Sequence, residues 1–517
     1  MNTLQKSMKS ITLGELVGDT LPAYETLLAP FASINVEGLT QDSRAVQPGH
    51  IFVALFGKNH DARDYIPVAI DRGAVAVLAD AGGEWQGIQT IDGVPVIAID
   101  CLRYQLGRLA ARFYGYPSDK YTVVGVTGTN GKTSCTQFIA QILTGLNASC
   151  GVVGTLGFGV YPKLNDTGYT TPDAIALQSA LADLASSNAR FVAMEVSSQG
   201  LHQYRVTGVS FRVALFTNLT RDHLDYHGSM QAYAEAKRRL FEYEGLQAGV
   251  VNMDDSYAVM MLNAMPRQAR CITYSLGNRH ADVYAEALTF TPQGFAARVH
   301  TPWGSAQISG SLLGAFNFSN VLAALTVVMT ASGEFTLEQV AAQVAALKPV
   351  NGRMELIGSA AGVSAVVDYA HTPDGLKSAL EAMRQHANGR IWCVFGCGGN
   401  RDQGKRPLMA EVADELADEI IVTDDNPRNE NADDIVRQIM LGFSDPDSVR
   451  VERDRGKAIS LAITLAKPGD LVLIAGKGHE CYQDVAGQRM AFSDAAQVRL
   501  ALQKRAQHTT DTKGNQP

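Results

Sequence analysis

A glycine-rich stretch, VVGVTGTNGKTS at residues 123–134, carries the residue types that bind phosphate. A β-branched run precedes it and a helix-like run follows it, and the glycines let backbone N–H groups turn inward around an anion. Lys132 would reach the β- and γ-phosphates of a nucleotide, and the Thr133 hydroxyl would ligate Mg²⁺. The spacing departs from the common P-loop pattern, which has its first glycine where this chain has Val126. The stretch predicts a nucleotide site; the alternative is a glycine-rich turn with a solvated lysine.

Two further segments of the chain each consist of an apolar run followed by polar residues. FVAMEVSSQGL, at residues 191–201, contains Glu195. This residue could hold a metal, because Mg²⁺ at nucleotide sites takes only one or two protein carboxylates. A lone histidine is more often structural, but a group of histidines and aspartates after an apolar run favours a functional site. FTNLTRDHLDYHGS, at residues 216–229, has such a group in Asp222, His223, Asp225 and His227.

Lys237 interrupts the apolar face of a predicted helix, AYAEAKRRLFEY at residues 232–243. At about 100° per residue, the lysine shares that face with Tyr233, Leu240 and Phe241. A buried ammonium needs a partner or loses its proton, so one interpretation is a neutral lysine that takes part in chemistry. The other is a side chain that extends to the edge of the face and keeps its charge in water.

The last third of the chain alternates strand-like and helix-like runs, a pattern that predicts a parallel sheet. Four of the apolar runs lead directly into polar, turn-rich loops. Ligands bind beyond the carboxyl ends of the strands in such sheets, so we expect the loops to line one crevice. The alternative is four independent surface turns. The loops contain Asp368 and His371; residues 396–399 with Arg401; Asp425, Asn426, Pro427 and Arg428; and Gly476, His479 and Glu480.

The length of 517 residues suggests about three domains. The pattern of elements predicts an α/β class with an amino-terminal domain at 1–117, a central domain at 118–348 and a carboxyl-terminal domain at 349–507. YPSDK is the expected linker between the first two, and LKPVNGRMEL, with its proline and glycine, predicts a hinge between the last two. The polar tail at 508–517 is expected to be disordered.

The composition argues against several classes of protein. A formal net charge of −8 disfavours binding to nucleic acid or to a membrane surface. The seven cysteines are scattered and odd in number, which favours reduced thiols in the cytosol. MNTLQKSMKSITLGEL at the amino terminus lacks the apolar core of a signal sequence, and the apolar stretch at 321–331 is too short to span a bilayer. We expect a soluble cytoplasmic protein that is a monomer.

Motifs spread in order over residues 38–493 resemble those of the Mur ligases of peptidoglycan synthesis. They are GTNGKT, EVSS, NLTRDHLDYHG followed by YAEAK, LLGAFNFSN, NGRME, VDYAHTPD and GKGHE. DNPR, at residues 425–428, narrows the resemblance to the members that add meso-2,6-diaminopimelate to UDP-N-acetylmuramoyl-L-alanyl-D-glutamate. The resemblance implies an amino-terminal UDP-binding domain, a central P-loop ATPase domain with a mostly parallel sheet, and a Rossmann-like carboxyl-terminal domain.

The resemblance also implies an ATP-dependent amide ligation in the cytoplasmic synthesis of cell-wall precursors. ATP phosphorylates the γ-carboxylate of the substrate's D-glutamate, because a carboxylate is a poor electrophile and hydroxide a poor leaving group. The amine of the incoming amino acid then attacks the acyl phosphate. Lys132 and Mg²⁺ would neutralise charge on the transferring phosphoryl group.

Roles for individual residues follow from the same motifs. Those implied to be catalytic are Lys132, Glu195, His223 and Lys237. Lys237 matches a lysine that reacts with CO₂ to form N6-carboxylysine, which would supply oxygen ligands to Mg²⁺. Thr133 and Glu195 are implied to hold one Mg²⁺ and His223 a second.

The motifs imply contacts to three substrates. The contacts to ATP are Gly128, Thr129, Asn130, Gly131, Lys132, Thr133, Ser134, Asn317, Asn320, Arg353, Asp368 and His371. The contacts to the UDP-muramoyl dipeptide are Ser43, Lys58, Asn59, His60, Thr170, Thr171, Ser197, Gln203 and Arg205. The contacts to diaminopimelate are Arg401, Asp425, Asn426, Pro427, Arg428, Gly476 and Glu480.

Two residues depart from the family pattern, and several alternatives stay open. Gln199 stands where the family usually has histidine, and Tyr169 where asparagine often precedes the threonine pair. The nearest alternative is an L-lysine-adding ligase of the same family, followed by an enzyme similar to folylpolyglutamate synthetase. A P-loop kinase that stops at phosphate transfer and a non-catalytic binding protein with this fold are the alternatives from other classes.

Overall fold

The computed structural model describes residues 10–18, 20–57, 60–165, 168–291 and 294–513. The first unit is a small α/β domain with β1 (Ile11–Thr12), α1 (Glu25–Leu28), β2 (Asn35–Val36), β3 (Gly38–Thr40), β4 (His50–Ala54), α2 (Ile66–Asp71), β5 (Ala76–Asp80), β6 (Ile88–Ile91), β7 (Val94–Ile99) and α3 (Leu102–Phe113). Its five-stranded sheet has the order β3-β4-β5-β7-β6 and is parallel except for β6. Alternate residues of β4 pack into separate core clusters on the two faces, which is why the strand is apolar from Ile51 to Ala54.

The central unit is a larger α/β domain. Its elements are β8 (Thr122–Thr127), α4 (Lys132–Gly145), β9 (Cys150–Gly154), β10 (Gly157–Val160), α5 (Ala174–Ser186), β11 (Phe191–Glu195), α6 (Ser198–His202), β12 (Phe211–Phe216), α7 (Leu224–His227), α8 (Met230–Arg238), β13 (Ala248–Asn252), α9 (Ala258–Leu262), β14 (Arg270–Ser275), β15 (Val283–Thr291), β16 (Gly294–Thr301), β17 (Gly304–Gly310), α10 (Ala315–Ala331) and α11 (Leu337–Val344). The sheet order is β10-β9-β11-β8-β12-β13-β14-β15-β16-β17. Because β8 lies between β11 and β12 and all three are parallel, the loops that follow them meet at one edge.

The carboxyl-terminal unit repeats this arrangement. Its elements are β18 (Glu355–Ala360), β19 (Val363–Asp368), α12 (Pro373–His386), β20 (Ile391–Phe395), α13 (Lys405–Leu416), β21 (Glu419–Val422), α14 (Ala432–Met440), β22 (Arg450–Val451), α15 (Arg455–Leu465), β23 (Leu471–Ala475), β24 (Tyr482–Val485), β25 (Gln488–Ala491) and α16 (Asp494–Lys513). The main sheet has the order β18-β19-β23-β20-β21-β22, parallel except for β18. The four polar loops therefore follow β19, β23, β20 and β21 at the same edge.

The predicted three-domain α/β class is confirmed. The boundary residues 117, 348 and 507 stay predictions. Helix α16 runs to Lys513 and so enters the segment 508–517 for which disorder was expected; residues 514–517 lie outside the described part. None of the helices in the described ranges combines the length and apolar character that crossing a bilayer requires.

Candidate active site

The loop between β8 and α4 is shaped by two glycines and held by a lysine. Gly128 has φ +152° and Gly131 has φ +84°, and a Cβ on Gly131 would lie 2.4 Å from Asn320 Oδ1. Lys132 Nζ donates to the carbonyl oxygens of Gly128 at 2.7 Å and Thr129 at 2.8 Å. The ammonium thus lies at the amino terminus of α4, where the helix dipole also favours an anion. The geometry is that of a phosphate site.

Residues from the strand next to β8 brace this loop. Asn218 Oδ1 accepts from the Asn130 N–H at 2.9 Å, and the Asn218 carbonyl oxygen accepts from the Thr129 N–H at 2.9 Å. Thr217 Oγ1 donates to the Asn130 carbonyl oxygen at 2.6 Å. No role was predicted for Thr217, which follows an apolar run, or for Asn218, which begins the motif NLTRDHLDYHG. Their proximity to the loop depends on the strand order.

Glu195 ends β11 directly beside the loop. Its side chain is buried, and its Oε2 accepts from Thr133 Oγ1 at 2.9 Å. Thr155 holds the carboxylate in place through its backbone N–H to Oε1 at 2.8 Å and its hydroxyl to Oε2 at 3.1 Å. Within the described residues no group of three or more His, Cys, Asp or Glu forms a metal cluster. The adjacent hydroxyl and carboxylate fit Mg²⁺, which takes few protein ligands beside phosphates and water.

Lys237 lies inside the protein behind the same loop. Its side chain is 1% exposed, so it does not extend into water as the alternative interpretation required. Its Nζ donates to the Gly128 carbonyl oxygen at 2.7 Å and lies 4.5 Å from the centre of the Tyr233 ring. Burial, and then the neighbouring Lys132 cation, place the pKa of Lys237 well below its usual value. Burial therefore favours the neutral amine over the ammonium at this position.

Two histidines from different domains face the cleft beyond this loop. His223 precedes α7 with φ +53°, and its Nε2 lies 3.4 Å from Asp222 Oδ2. His371, in the loop after β19, shares a hydrogen bond between its Nδ1 and the Tyr369 carbonyl oxygen at 2.8 Å. Burial lowers the pKa of both, that of His371 to about 4. Both imidazoles are therefore neutral at physiological pH.

The carboxyl-terminal domain reaches the nucleotide loop through Arg353. The Arg353 guanidinium stacks over the Tyr369 ring at 4.3 Å, and its Nη2 lies 3.5 Å from Thr133 Oγ1. Asp368 Oδ2 accepts from the Met354 N–H at 2.6 Å, and burial raises the pKa of Asp368 to about 6.

Two asparagines on α10 complete the predicted nucleotide contacts. Asn317 and Asn320 are both buried. Asn317 Nδ2 donates to the Leu313 carbonyl oxygen at 2.9 Å, whereas its Oδ1 has no protein partner among the described residues. The Gly131 backbone packs directly against the Asn320 side chain, because a Cβ on Gly131 would lie 2.4 Å from Asn320 Oδ1. The structure thus gathers the predicted ATP residues from both sides of the hinge; their binding roles stay predictions.

The loop after β21 is tied to neighbouring loops by side chains. Asn426 Nδ2 donates to Glu480 Oε2 at 2.8 Å. Arg428 has φ +53°, and its Nη1 donates to the Gly399 carbonyl oxygen at 2.8 Å. Gly399 has no room for a side chain, because a Cβ would lie 1.9 Å from the Pro427 carbonyl oxygen. The turn before Arg428 is therefore closely packed.

One cavity of about 750 Å³ lies between the central domain and the carboxyl-terminal domain. Residues from all four carboxyl-terminal loops line it, so these loops are not independent surface turns. The central domain contributes the loop before α5, with Thr170, and the loop before α7, with Asp222 and His223. The predicted residues that line this cavity are Thr170, His223, His371, Arg401, Asp425, Asn426, Arg428, Gly476 and Glu480.

Two further cavities lead from the amino-terminal domain toward this cleft. The first, of about 1020 Å³, contains Ser43 and His60, and the second, of about 260 Å³, contains Gln203 and Arg205. Asp173 lines both of them, and Tyr169 lines the second cavity and the cleft. Lys58 and Asn59 lie outside the described residues.

A chain of hydrogen bonds connects the second of these cavities to Glu195. Arg205 Nη1 donates to the Thr171 carbonyl oxygen at 2.8 Å. Thr171 Oγ1 donates to the Glu195 carbonyl oxygen at 3.1 Å and accepts from the Ser197 N–H at 3.0 Å. A long substrate could therefore extend from the amino-terminal cavity to Glu195. Gln199, on α6, does not interrupt these contacts.

Fold and site together define a three-domain P-loop enzyme with a cavity of about 750 Å³ between its central and carboxyl-terminal domains. The chain belongs to the Mur ligase family. Residues 35–114 match the Mur ligase family catalytic domain, residues 126–328 the Mur ligase middle domain, and residues 352–478 the Mur ligase glutamate ligase domain.

Relatives and a solved structure extend the match over most of the chain. A UDP-N-acetylmuramoyl-L-alanyl-D-glutamate–2,6-diaminopimelate ligase of Coxiella burnetii is 46% identical over 95% of this chain and all of its own length. One with the same name from Pseudomonas syringae pv. tomato is 48% identical over 90% of this chain and 95% of its own. A solved structure of such a ligase is 37% identical, with a TM-score of 0.68 over 92% of this chain and 96% of its own.

Proposed function

We propose that the chain joins meso-2,6-diaminopimelate to the D-glutamate of UDP-N-acetylmuramoyl-L-alanyl-D-glutamate, with conversion of ATP to ADP and phosphate. The observation that carries the proposal is the single cavity of about 750 Å³ that has His223 on one side and Asn426 and Arg428 on the other. A kinase that stopped at phosphate transfer would need no such pocket. The relatives at 46% and 48% identity are diaminopimelate-adding ligases by name and support the same reaction.

The first step is phosphorylation of the substrate's γ-carboxylate. Lys132 and the N–H groups at the start of α4 bind the phosphates of ATP and stabilise the charge that develops during transfer. Thr133 and Glu195 would hold one Mg²⁺, and His223 would be a ligand of a second. When bound, the ions would supply positive charge that offsets the charge of the phosphates. Arg353 and Asp368 close on the nucleotide from the other domain.

Lys237 is the residue for which modification is proposed. A neutral amine attacks CO₂, forms an N–C bond and releases one proton, which leaves a carbamate on Nζ. Burial favours the neutral amine, and the lysine lies on the Gly128 carbonyl oxygen behind the phosphate loop. The carbamate would place a negative charge and oxygen donors near the Lys132 cation, an opposite-charge contact that also suits a hard cation.

The remaining substrates occupy the cavities on either side. The uridine end of the muramoyl substrate binds near Ser43 and His60, and its peptide passes Arg205 toward Glu195. Diaminopimelate binds with its distal carboxylate on Arg428, a planar fork that matches a carboxylate. We expect the protein to act in the cytoplasm as a monomer.

Phosphate release from ATP tests the proposal. The enzyme is given the UDP-muramoyl dipeptide alone, with meso-diaminopimelate, or with L-lysine. Rapid release should need both the dipeptide and meso-diaminopimelate, and mass spectrometry should find the amide product. Equal rates with L-lysine would favour the lysine-adding alternative. Stoichiometric release without an amino acid would favour a kinase followed by hydrolysis.

A further inference from the structure

A fully buried ammonium lies beneath the loop that carries Asn426. The Lys477 side chain has no exposed surface, and its Nζ lies 2.8 Å from both Asn426 Oδ1 and Glu480 Oε2. The Tyr482 ring centre is 5.5 Å from the same nitrogen. A buried charge is costly unless it is paired, and none of the steps described above uses this lysine. No sequence pattern predicted a role for Lys477.

The contacts of Lys477 fix the orientation of the Asn426 amide. An ammonium can only donate, and the Asp484 N–H donates to the same Asn426 Oδ1 at 2.9 Å. Half a turn of the amide would place its NH₂ against two donors, so hydrogen-bond chemistry assigns the oxygen and the nitrogen. The NH₂ donates one hydrogen to Glu480 Oε2 at 2.8 Å. Its second hydrogen has no acceptor within the described part of the chain.

The same lysine determines which oxygen of Glu480 is available. Lys477 and Asn426 both donate to Oε2, whereas no donor among the described residues reaches Oε1. Asn426, Glu480 and Arg428 all line the cleft. The pocket therefore presents donors from Asn426 and Arg428 beside an acceptor from Glu480. A carboxylate and an ammonium on one carbon complement this arrangement.

We propose that Lys477 is a positioning residue that sets this polarity without touching the substrate; the inference rests on the proposed function. With Lys477 present, the Asn426 amide can offer only its NH₂ to the distal carboxylate of diaminopimelate. Without it, one of the two donors that fix the amide is lost and Glu480 loses its counter-charge. The Asp484 N–H and Glu480 Oε2 then hold the amide alone, and the uncompensated Glu480 carboxylate repels a distal carboxylate more than it repels a carboxamide.

The test compares meso-diaminopimelate with the derivative whose distal carboxylate is a carboxamide. Lys477→Met keeps an unbranched side chain that is one heavy atom shorter and removes its donors. The acid-to-amide ratio of kcat/KM should fall at least tenfold, mainly through KM for the acid, with KM for ATP changed less than twofold. Lys477→Arg, which keeps charged donors, should retain most of the ratio. Lys457→Met removes an exposed lysine of α15, 74% exposed, and should keep the wild-type ratio.

An unchanged ratio in folded Lys477→Met, or equal losses for acid and amide, would assign this lysine to stability alone. If circular dichroism shows that Lys477→Met is unfolded, Lys477→Gln replaces it. That variant keeps one neutral donor, so its ratio should fall part of the way, and a wild-type ratio would overturn the proposal. Calorimetric binding of both compounds is measured in parallel. A wild-type enzyme that binds but does not ligate would contradict the proposed function, and the binding ratio would still decide on Lys477.

Discussion

The nucleotide side and the amino-acid side of the cleft are built differently. On the nucleotide side, one contiguous segment at residues 128–133 supplies the backbone turn, the lysine and the hydroxyl. On the amino-acid side, the contacts join separate loops, from Asn426 to Glu480 and from Arg428 to Gly399. In the proposed reaction, the contiguous segment binds phosphate through its backbone groups, whereas side chains held by other loops select the amino acid. Changes on the nucleotide side should therefore affect every amino acid alike, and changes on the other side should affect the choice among them.

The largest effect is expected from Lys237→Ala. The variant should lose ligation with every amino acid, on the order of a hundredfold to a thousandfold or more, because charge stabilisation at the phosphoryl group is lost. Phosphate release measures the loss, and circular dichroism checks the fold. Bicarbonate should not restore activity, whereas a small carboxylate could supply the missing oxygens. Near-normal turnover of this variant in CO₂-free buffer would refute the carbamate.

Arg428→Ala should give the next largest effect, confined to diaminopimelate. A hydrogen bond to a charged group contributes about 1.5–3 kcal/mol, so kcat/KM should fall on the order of tenfold to a hundredfold or more. The loss for L-lysine, which lacks the distal carboxylate, should be much smaller. Arg437→Ala removes an exposed arginine from α14 and is the matched control. Equal losses for both amino acids would contradict recognition of the distal carboxylate by this loop.

Binding of substrates should bring the two sides closer. Predicted ATP contacts come from both sides of the 347–356 hinge, and Arg353 already lies 3.5 Å from Thr133 Oγ1. Small-angle scattering should show a smaller radius of gyration with nucleotide and UDP-substrate together than with either alone, as expected for domain closure. If the radius does not change at saturating concentrations of both, the hinge is not used.

The last expected effect is on stability and not on activity, and it concerns the dependence of stability on pH. The pKa of Asp368 rises from 3.8 to about 6 on folding, mainly through burial. The folded chain then binds this proton more tightly than the unfolded chain, so stability falls as the pH rises from about 4 to about 6, by up to about 3 kcal/mol. Asp368→Asn should remove this contribution and raise the melting temperature at pH 7 relative to pH 4.5. A variant with the wild-type pH profile would show that Asp368 is not the group responsible.

Lys237 and Lys477 show what sequence patterns can predict and what they cannot. Helical periodicity predicted the apolar face around Lys237, and the side chain is indeed buried. Its partner, the Gly128 carbonyl oxygen, is 109 residues away, and no local pattern could reveal it. Lys477 was missed although Gly476, His479 and Glu480 beside it were singled out, because a lysine in a polar loop is ordinarily solvated. Only the packing of the loop that carries Asn426 over Lys477 makes it a buried ammonium.

The sequence by itself determined the α/β class, the order of the three domains and the residues of the phosphate loop. Each of these depends on periodicity or on neighbours within a short segment. The tertiary structure decided which loops meet, because β8 inserts between β11 and β12, and β23 between β19 and β20. Such neighbours pair through backbone hydrogen bonds that every residue can make, so strand order follows from packing and crossover connections and not from the side chains of any one strand.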